Sequence, residues 1–499
     1  MHRISGPIAF LFAASLTMVG FADEFRFWTT ADGKRSGTRL QYLQHNQTHV
    51  QLLREDNQNK VAMRLSNLSA KDRAWVMRQS DDAVADDDDD GRDMDDMVEQ
   101  NVSSTTSPQW PQWRGPIRNG VSPETGLLQQ WPAEGPPIAW QVQGMGEGYS
   151  TPSVANDRVY LMGAFGDQER LLCMSLGDGS QLWATPIGSK APGGGYKGPR
   201  GSATVDGELV LILGSDGTLA CMNNEDGSVR WKKNLKRDFG GRVGSWDYAE
   251  SPLVDGDRVI CTPGGTQATM VGLNKNTGQP VWRGSAAQLG DGYATAGYSS
   301  TIVANVHGVR QYVNFLSGGV VAFDANSGAG LWHYDAPANG TANCSTPIIS
   351  GTAVFAASGY GTGGGKAEIV RRGNAFDVRE SYFVNSFQNH HGGFVLLDGF
   401  IYGANDSVLM CIDWNSGKMM WRDRCVGKGS IAAADGQLYV RGERGDLALV
   451  SATPEGYQLT GRFKQPNRSG QNAWPHPVIA GGKLLIHDQD RLICFDVAN

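Results

Sequence analysis

One short unit recurs along the chain with an internal spacing that never slips. It reads LLCMSLGDGSQLW to Trp183, LACMNNEDGSVRW to Trp231, MVGLNKNTGQPVW to Trp282, VVAFDANSGAGLW to Trp332 and LMCIDWNSGKMMW to Trp421. Each copy has an apolar strand, a turn built from Asp, Asn, Ser and Gly, and a second strand ending in tryptophan. Counting back ten positions from each Trp gives Cys173, Cys221, Gly272, Ala322 and Cys411, a small residue every time. A glycine turn of constant length fixes hairpin register, because a slip of one residue would turn every side chain to the opposite face.

The first four of these tryptophans lie 48, 51 and 50 residues apart, a period typical of propeller blades. The gap from Trp332 to Trp421 is 89, so a degenerate blade is predicted between them, in KAEIVRRGNAFDVRESYFV, with an aromatic residue near 382–383. A seventh, also degenerate, is predicted in LALVSATPEGYQLTGRF. RLICFDVAN at the C-terminus has a strand but no Trp hairpin after it, whereas PPIAWQV around Trp140 is a Trp strand without its blade. Joining the two completes an eighth blade and removes the free sheet edges of an open ring. The predicted fold is therefore all-β, an eight-bladed propeller over 108–499 closed between its N- and C-terminal strands, with a seven-bladed ring as the rival.

Composition agrees and narrows the function. The chain has 66 glycines and 14 tryptophans, as expected for many short strands, tight turns and aromatic packing. A net charge of -7 argues against a nucleic-acid binder, which carries a basic face. Residues 1–22 read as a cleaved secretory signal: basic His2 and Arg3, an apolar run from Ile8 to Val19, then small residues before a cut near Ala22. Export to the periplasm or outside the cell is expected, with at most a peripheral link to membrane. Cys173, Cys221, Cys411 and Cys494 occupy equivalent repeat positions and read as buried core residues; no cysteine–histidine set has zinc spacing. Residues 81–107 read as a solvated linker, since DDAVADDDDDGRDMDD has ten Asp in sixteen positions.

Residues 23–80 form a separate small unit. It has strand-like pieces with a turn at Asp32-Gly33, and a helix start where Ser69 is followed by Asp72. Phe27-Trp28-Thr29, Asp32-Gly33, Val50–Leu53 and Leu65, Leu68-Ser69, Asp72 and Trp75-Val76 resemble the Sla homology domain, an SH3-like barrel. That resemblance implies binding of peptides or proteins.

The Trp-ended repeats, the opening WPQWRGPIRNGVSPETGLL and the closing GRFKQPNRSGQNAWPHPVIAGGKLLIHDQDRLICFDV resemble the PQQ-like propellers of the quinoprotein and BamB type. In the quinoprotein dehydrogenases the resemblance implies pyrroloquinoline quinone stacked between a Trp and a disulfide of adjacent cysteines, with calcium held by Glu, Asn and Asp. The chain has no adjacent cysteine pair, and no Asp-Asn-Asp grouping aligns to the calcium and base positions. No cofactor, metal or catalytic residue is therefore expected.

Any site is expected where each blade's innermost strand opens onto the channel mouth: GEGYSTPSV, YKGPRGSATV, SWDYAESPLV, TAGYSSTIV, TANCSTPII, QNHHGGFVL, GKGSIAAA and NAWPHPVIA. The candidate mouth residues are Tyr149, Arg200, Trp246, Tyr248, Glu250, Tyr298, Asn343, His390, His391, Lys428, Trp474 and His476, with Lys197, Asp247 and Asn389 beside them. Aromatic rings and mixed charge suit a peptide loop or a small polar ligand; Arg200, Lys197 and Lys428 point to an anionic one. Adjacent histidines on an extended strand face opposite sides, so at most one of His390 and His391 is expected to face the channel, joined by His476. The predicted function is an exported, non-catalytic binding or scaffold protein with protein or peptide partners. The alternatives are a quinoprotein dehydrogenase and a hydrolase or lyase built on His390, His391, His476 and Glu250.

Overall fold

The computed structural model describes residues 109–290 and 292–499 and, nearer the N-terminus, Trp28, residues 40–45, 49–54 and 60–64, and Leu68. The chain divides into two compact units, Met1–Met94 and Asp95–Asn499. In the first, Leu40–His45, His49–Arg54 and Lys60–Arg64 form an antiparallel meander. Trp28, Val50, Leu52 and Leu68 are buried; Val50 and Leu52, two apart, share one face of the middle strand. Three strands alone do not define an SH3-like barrel. The expected Asp32-Gly33 turn, the helix start at Ser69, the signal over 1–22 and the acidic run lie outside the described residues.

The second unit is a propeller of eight sheets. Its innermost strands are, in order, Ser153–Ala155, Thr204–Asp206, Leu253–Asp255, Ile302–Val306, Ile348–Ser350, Phe394–Leu397, Gly429–Ala434 and Val478–Ala480. Its outermost are Gln181–Ser189, Val229–Asn234, Pro280–Gly284, Gly330–Tyr334, Ala375–Val384, Met419–Asp423, Leu459–Lys464 and Ile138–Gln143. The last of these closes the ring. Ile138–Gln143 pairs antiparallel with Arg491–Asp496, placing Trp140 opposite Cys494.

The ten-residue spacing has a direct structural cause. Cys173 faces Trp183, Cys221 faces Trp231, Gly272 faces Trp282, Ala322 faces Trp332 and Cys411 faces Trp421 across neighbouring strands. A small residue leaves room for the indole to lie over the sheet and reach the next blade. There Trp183 Nε1 donates to Asn224 O, Trp231 Nε1 to Lys275 O, Trp421 Nε1 to Thr453 O and Trp140 Nε1 to Leu176 O. The turn glycine of the following blade sits against the same ring: a Cβ on Gly227 would lie 2.5 Å from Trp183, and one on Gly278 2.7 Å from Trp231. Both glycines have φ near +70°, so conformation and contact together exclude a side chain. The turn and the Trp of the sequence unit are thus the two halves of one blade-to-blade joint.

The degenerate blades solve the same problem with other residues. In the fifth, Tyr382 faces Lys366 and packs on Gly417 of the sixth. In the seventh the facing position is Gly461, and Trp131 from the N-terminal strap lies over it, with its ring 5.7 Å from Tyr439.

A segment at the axis ties all the blades together. Trp110 exchanges backbone hydrogen bonds with Val154 of blade 1, and Pro111 O accepts from Val205 of blade 2. Arg118 donates to Ser251 O of blade 3 and Thr301 O of blade 4. Trp113 Nε1 donates to Thr346 Oγ1 of blade 5, and Arg114 to Phe394 O of blade 6. Val121–Ser122 runs parallel to the inner strand of blade 7, and the Trp113 ring packs tilted against His476 of blade 8, centroids 4.6 Å apart. Arg114 and Arg118 both take left-handed backbone conformations, φ 59° and 60°, which curl the segment tightly enough to turn both guanidinium groups into the ring. Residues 110–122 therefore act as a hub.

Candidate functional site

The hub supplies the floor of a pocket of about 390 Å³ at one mouth of the propeller, with Trp113 at its base. Every blade contributes to the wall, and the inner-strand openings do so with a period of two. Tyr149 and Thr151, Tyr298 and Ser300, Ala342 and Cys344, and Trp474 and His476 all line it. The residues between turn toward the neighbouring blade: Ser150 Oγ donates to Gly201 O, Ser299 Oγ to Ser345 O, and Asn343 Nδ2 to Leu316 O. This is the alternation of an extended chain.

Nine of the twelve residues expected at the mouth line the pocket: Tyr149, Arg200, Trp246, Tyr298, His390, His391, Lys428, Trp474 and His476. Three lie elsewhere. Tyr248 is buried, with its hydroxyl on Pro263 O. Glu250 is buried and accepts from Thr262 N, Thr262 Oγ1 and Thr301 Oγ1. Asn343 is the in-between residue of blade 5. Of their neighbours, Asn389 is buried on Ser345, Gly393 and Ala404, Asp247 binds Gly193 N and Lys236, and Lys197 is exposed. With Glu250 under Thr262 and Thr301, the acid/base set of a hydrolase or lyase is not assembled.

The expectation for the histidine pair is corrected. His390 and His391 sit in a bend before the strand at Phe394, not in extended chain, and Gly393 turns at φ +68°. Both rings therefore line the pocket, with their Nδ1 atoms 3.3 Å apart. His390 Nε2 meets Tyr360 Oη at 3.0 Å. His476 Nε2 meets the backbone oxygen of His391 at 3.0 Å, not its ring.

Burial pushes the imidazoles toward the neutral form. His390 falls to about 4 through burial and then Lys428, His476 to about 3 through burial and then Arg114, and His391 well below its ordinary value. Burial also pushes the Cys344 thiol up to about 12. The guanidinium of Arg200 is used in construction. It donates to Trp246 O and Gly193 O and to Tyr196 O, so one side chain holds two aromatic walls. Glu443, the one acid among the described wall residues, accepts from Trp474 Nε1 at 2.5 Å, and its Oε1 lies 4.0 Å from His391 Nε2.

Sequence reasoning missed Trp113, Tyr196, Cys344, Tyr360 and Glu443. The two-residue alternation could have found Cys344 in place of Asn343. Nothing local marks Trp113 or Tyr360, which arrive from the hub and from the loop between the second and third strands of blade 5.

The sequence profile of the family described as outer membrane protein assembly factor BamB matches residues 167–423, just over half of the chain. The chain belongs to this family. Curated BamB-family relatives are the BamB proteins of Shewanella oneidensis, 26% identical over 185 residues, and of Burkholderia pseudomallei, 27% identical over 259 residues. The matches span 37% and 45% of this chain but only 45% and 66% of those relatives' lengths. Among solved structures, BamB from Moraxella catarrhalis is 14% identical with a TM-score of 0.50, covering 71% of this chain and 97% of that one. The quinohemoprotein alcohol dehydrogenase of Comamonas testosteroni is 13% identical with a TM-score of 0.55, covering 79% and 81%. At such identities the structural likeness establishes the fold alone.

The dehydrogenase likeness raises the question of a quinone. Among the described residues the pocket offers one thiol, Cys344, and one carboxylate, Glu443. Among the described residues no three His, Cys, Asp or Glu side chains converge to hold a metal. That donor set does not fit a quinone with its calcium.

Proposed function

We propose that this BamB-family chain is an exported, non-catalytic binding protein that engages protein partners through the axial pocket of its propeller, with the N-terminal unit as an SH3-like second recognition module. The observation that carries this reading is the state of the pocket's reactive groups. The histidines are held neutral, the Cys344 thiol is far from ionised, and Glu443 is committed to Trp474 Nε1. Acyl or proton-transfer chemistry needs a nucleophile beside a free base; among the described residues Cys344 has no hydrogen-bonded base, and Glu443, 4.0 Å from His391 Nε2, is held by Trp474. Aromatic rings around a blind pocket offer broad contact at low conformational cost, as binding surfaces do. The relatives bearing the name of an outer membrane assembly factor support a protein partner at the envelope.

Replacing Tyr360, half exposed on the pocket rim, by a benzophenone amino acid tests this in envelope extracts of the producing cell. A discrete protein adduct at position 360, absent with the same group at Val229 on the outer strand of blade 2, is expected. Equal labelling at both positions, or none, would remove the reading.

A further inference from the structure

We propose that the axial pocket binds a six-membered ring bearing a single carboxylate, with the ring among Trp113, Trp246 and Trp474 and the carboxylate toward Lys428 and Arg200. This rests on the reading of the pocket as a recognition site and deepens it to a ligand chemistry.

The walls favour a flat or chair-shaped ring. Trp474 lies 4.6 Å from both Tyr149 and Tyr196, forming one aromatic wall, and Trp246 with Tyr298 at 5.5 Å forms another. Trp113 closes the base. A pocket of about 390 Å³ is near the small end of ligand sites, large enough for one or two rings and too small for an extended polymer.

The charge selects among rings. Among the described wall residues Arg200 and Lys428 are the cations and Glu443 the one acid, and the histidines are neutral. The described lining therefore sums to one net positive charge inside a chain of net charge -7. That charge would repel the quaternary ammonium ligands that aromatic cages otherwise take. Arg200 donates to backbone carbonyls, and the Asp247 and Glu169 carboxyl groups act on its charge from longer range. Lys428 pairs at 3.3 Å with Asp406, an acid 71% exposed, and such surface pairs are weak. Both cations also lower the Cys344 thiol against the effect of burial, so their fields meet at the wall of blade 5. One net positive charge matches a carboxylate better than a phosphate monoester, which carries about -1.5 to -2 near neutral pH.

Two sources share this chemistry, a sugar acid and an aromatic acid, and titration of the full chain separates them. Tryptophan fluorescence is followed with D-glucuronate and 4-hydroxybenzoate, each against its uncharged counterpart, D-glucose and 4-hydroxybenzyl alcohol. Saturable quenching by one acid, at least tenfold tighter than its counterpart, is expected, and the acid that binds identifies the source. Lys428→Met is expected to weaken that binding about five- to tenfold while leaving the thermal unfolding midpoint in place, and Trp474→Ala to abolish it. Absence of quenching by both acids, or equal binding of acid and counterpart, would overturn the proposal. Adducts at position 360 without acid binding would sink this proposal and leave the protein-partner reading standing; acid binding without adducts would do the reverse.

Discussion

Arg118 is the sharpest place to test whether the hub holds the ring together. Its side chain is buried, 3% exposed, and donates to Gln112 Oε1 at 2.7 Å, Thr301 O at 2.8 Å and Ser251 O at 3.1 Å, with Pro252 O also accepting. Pro252 O keeps Thr204 Oγ1 as a second donor, so Arg118→Met strips Gln112 Oε1 and two backbone carbonyls, Ser251 O in blade 3 and Thr301 O in blade 4. A buried acceptor left without a partner costs about 1–3 kcal/mol, which puts the two carbonyls at about 2–6 kcal/mol. Against this stands relief from burying a cation whose ionisation burial lowers to about 9. The methionine also keeps most of the packing volume. A net loss of about 2–4 kcal/mol is expected in equilibrium urea unfolding followed by tryptophan fluorescence, with Arg230→Met on the outer strand of blade 2 as the surface control within about 0.5 kcal/mol. If Arg118→Met falls within that same margin, the hub is a passenger in the channel and the reasoning fails.

Three further outcomes follow from the same geometry. Gly278→Ala forces a left-handed Ala, φ +68°, with its Cβ 2.7 Å from Trp231, and is expected to lose about 2–4 kcal/mol; Gly207→Ala, at φ +55° with open space around it, is expected to lose about 1 kcal/mol in the same urea assay, and equal losses would refute the blade joint. Trp140→Ala removes the closing indole and its bond to Leu176 O, with an expected loss of about 3–5 kcal/mol and earlier amide exchange in Ile138–Gln143 than in the other outer strands. His476 is held neutral in the fold, down to about 3, while its unfolded value is near 6.5, so the unfolded chain binds the extra proton between these values. Its contribution is full above about pH 6.5 and is lost as pH falls toward 3, at about 1.4 kcal/mol per pH unit; His476→Asn is expected to flatten the acid limb of a stability–pH profile, and an unchanged slope would refute the assignment.

The joints between blades were legible because they are local. A hairpin of fixed length must place Cys221 opposite Trp231, and the same rule carried over to Cys494 and Trp140 across the whole chain. The hub was not legible, because Arg118 is recognised by backbone oxygens of residues 251, 252 and 301, and backbone oxygens leave no trace in residue identity. The mouth was partly legible. Which blades open there followed from the repeat; which side chains face inward depended on phase within each opening, and a single phase error separates Asn343, bonded to Leu316 O of blade 4, from Cys344 in the wall. The histidine doublet failed for a different reason: Gly393 at φ +68° breaks the extended conformation on which the opposite-face rule depends.

Stability and recognition are set by largely separate residues in this propeller. The aromatic–glycine joints lie toward the outer strands of the blades, and the pocket residues lie at the inner strand openings, so the mouth can vary without disturbing the joints. Trp113, His476 and Arg200 belong to both sets, and Arg200 shows the consequence most clearly. On sequence grounds its loss should weaken an anionic ligand and leave thermal stability alone. Its guanidinium in fact holds the carbonyls of Trp246, Gly193 and Tyr196, so Arg200→Ala withdraws a charge and loosens two aromatic walls at once. Lys428, tied only to an exposed aspartate, changes the charge and leaves the walls in place. A difference between these two variants in unfolding midpoint, alongside a shared loss of acid binding, separates the electrostatic contribution of the pocket from its architecture.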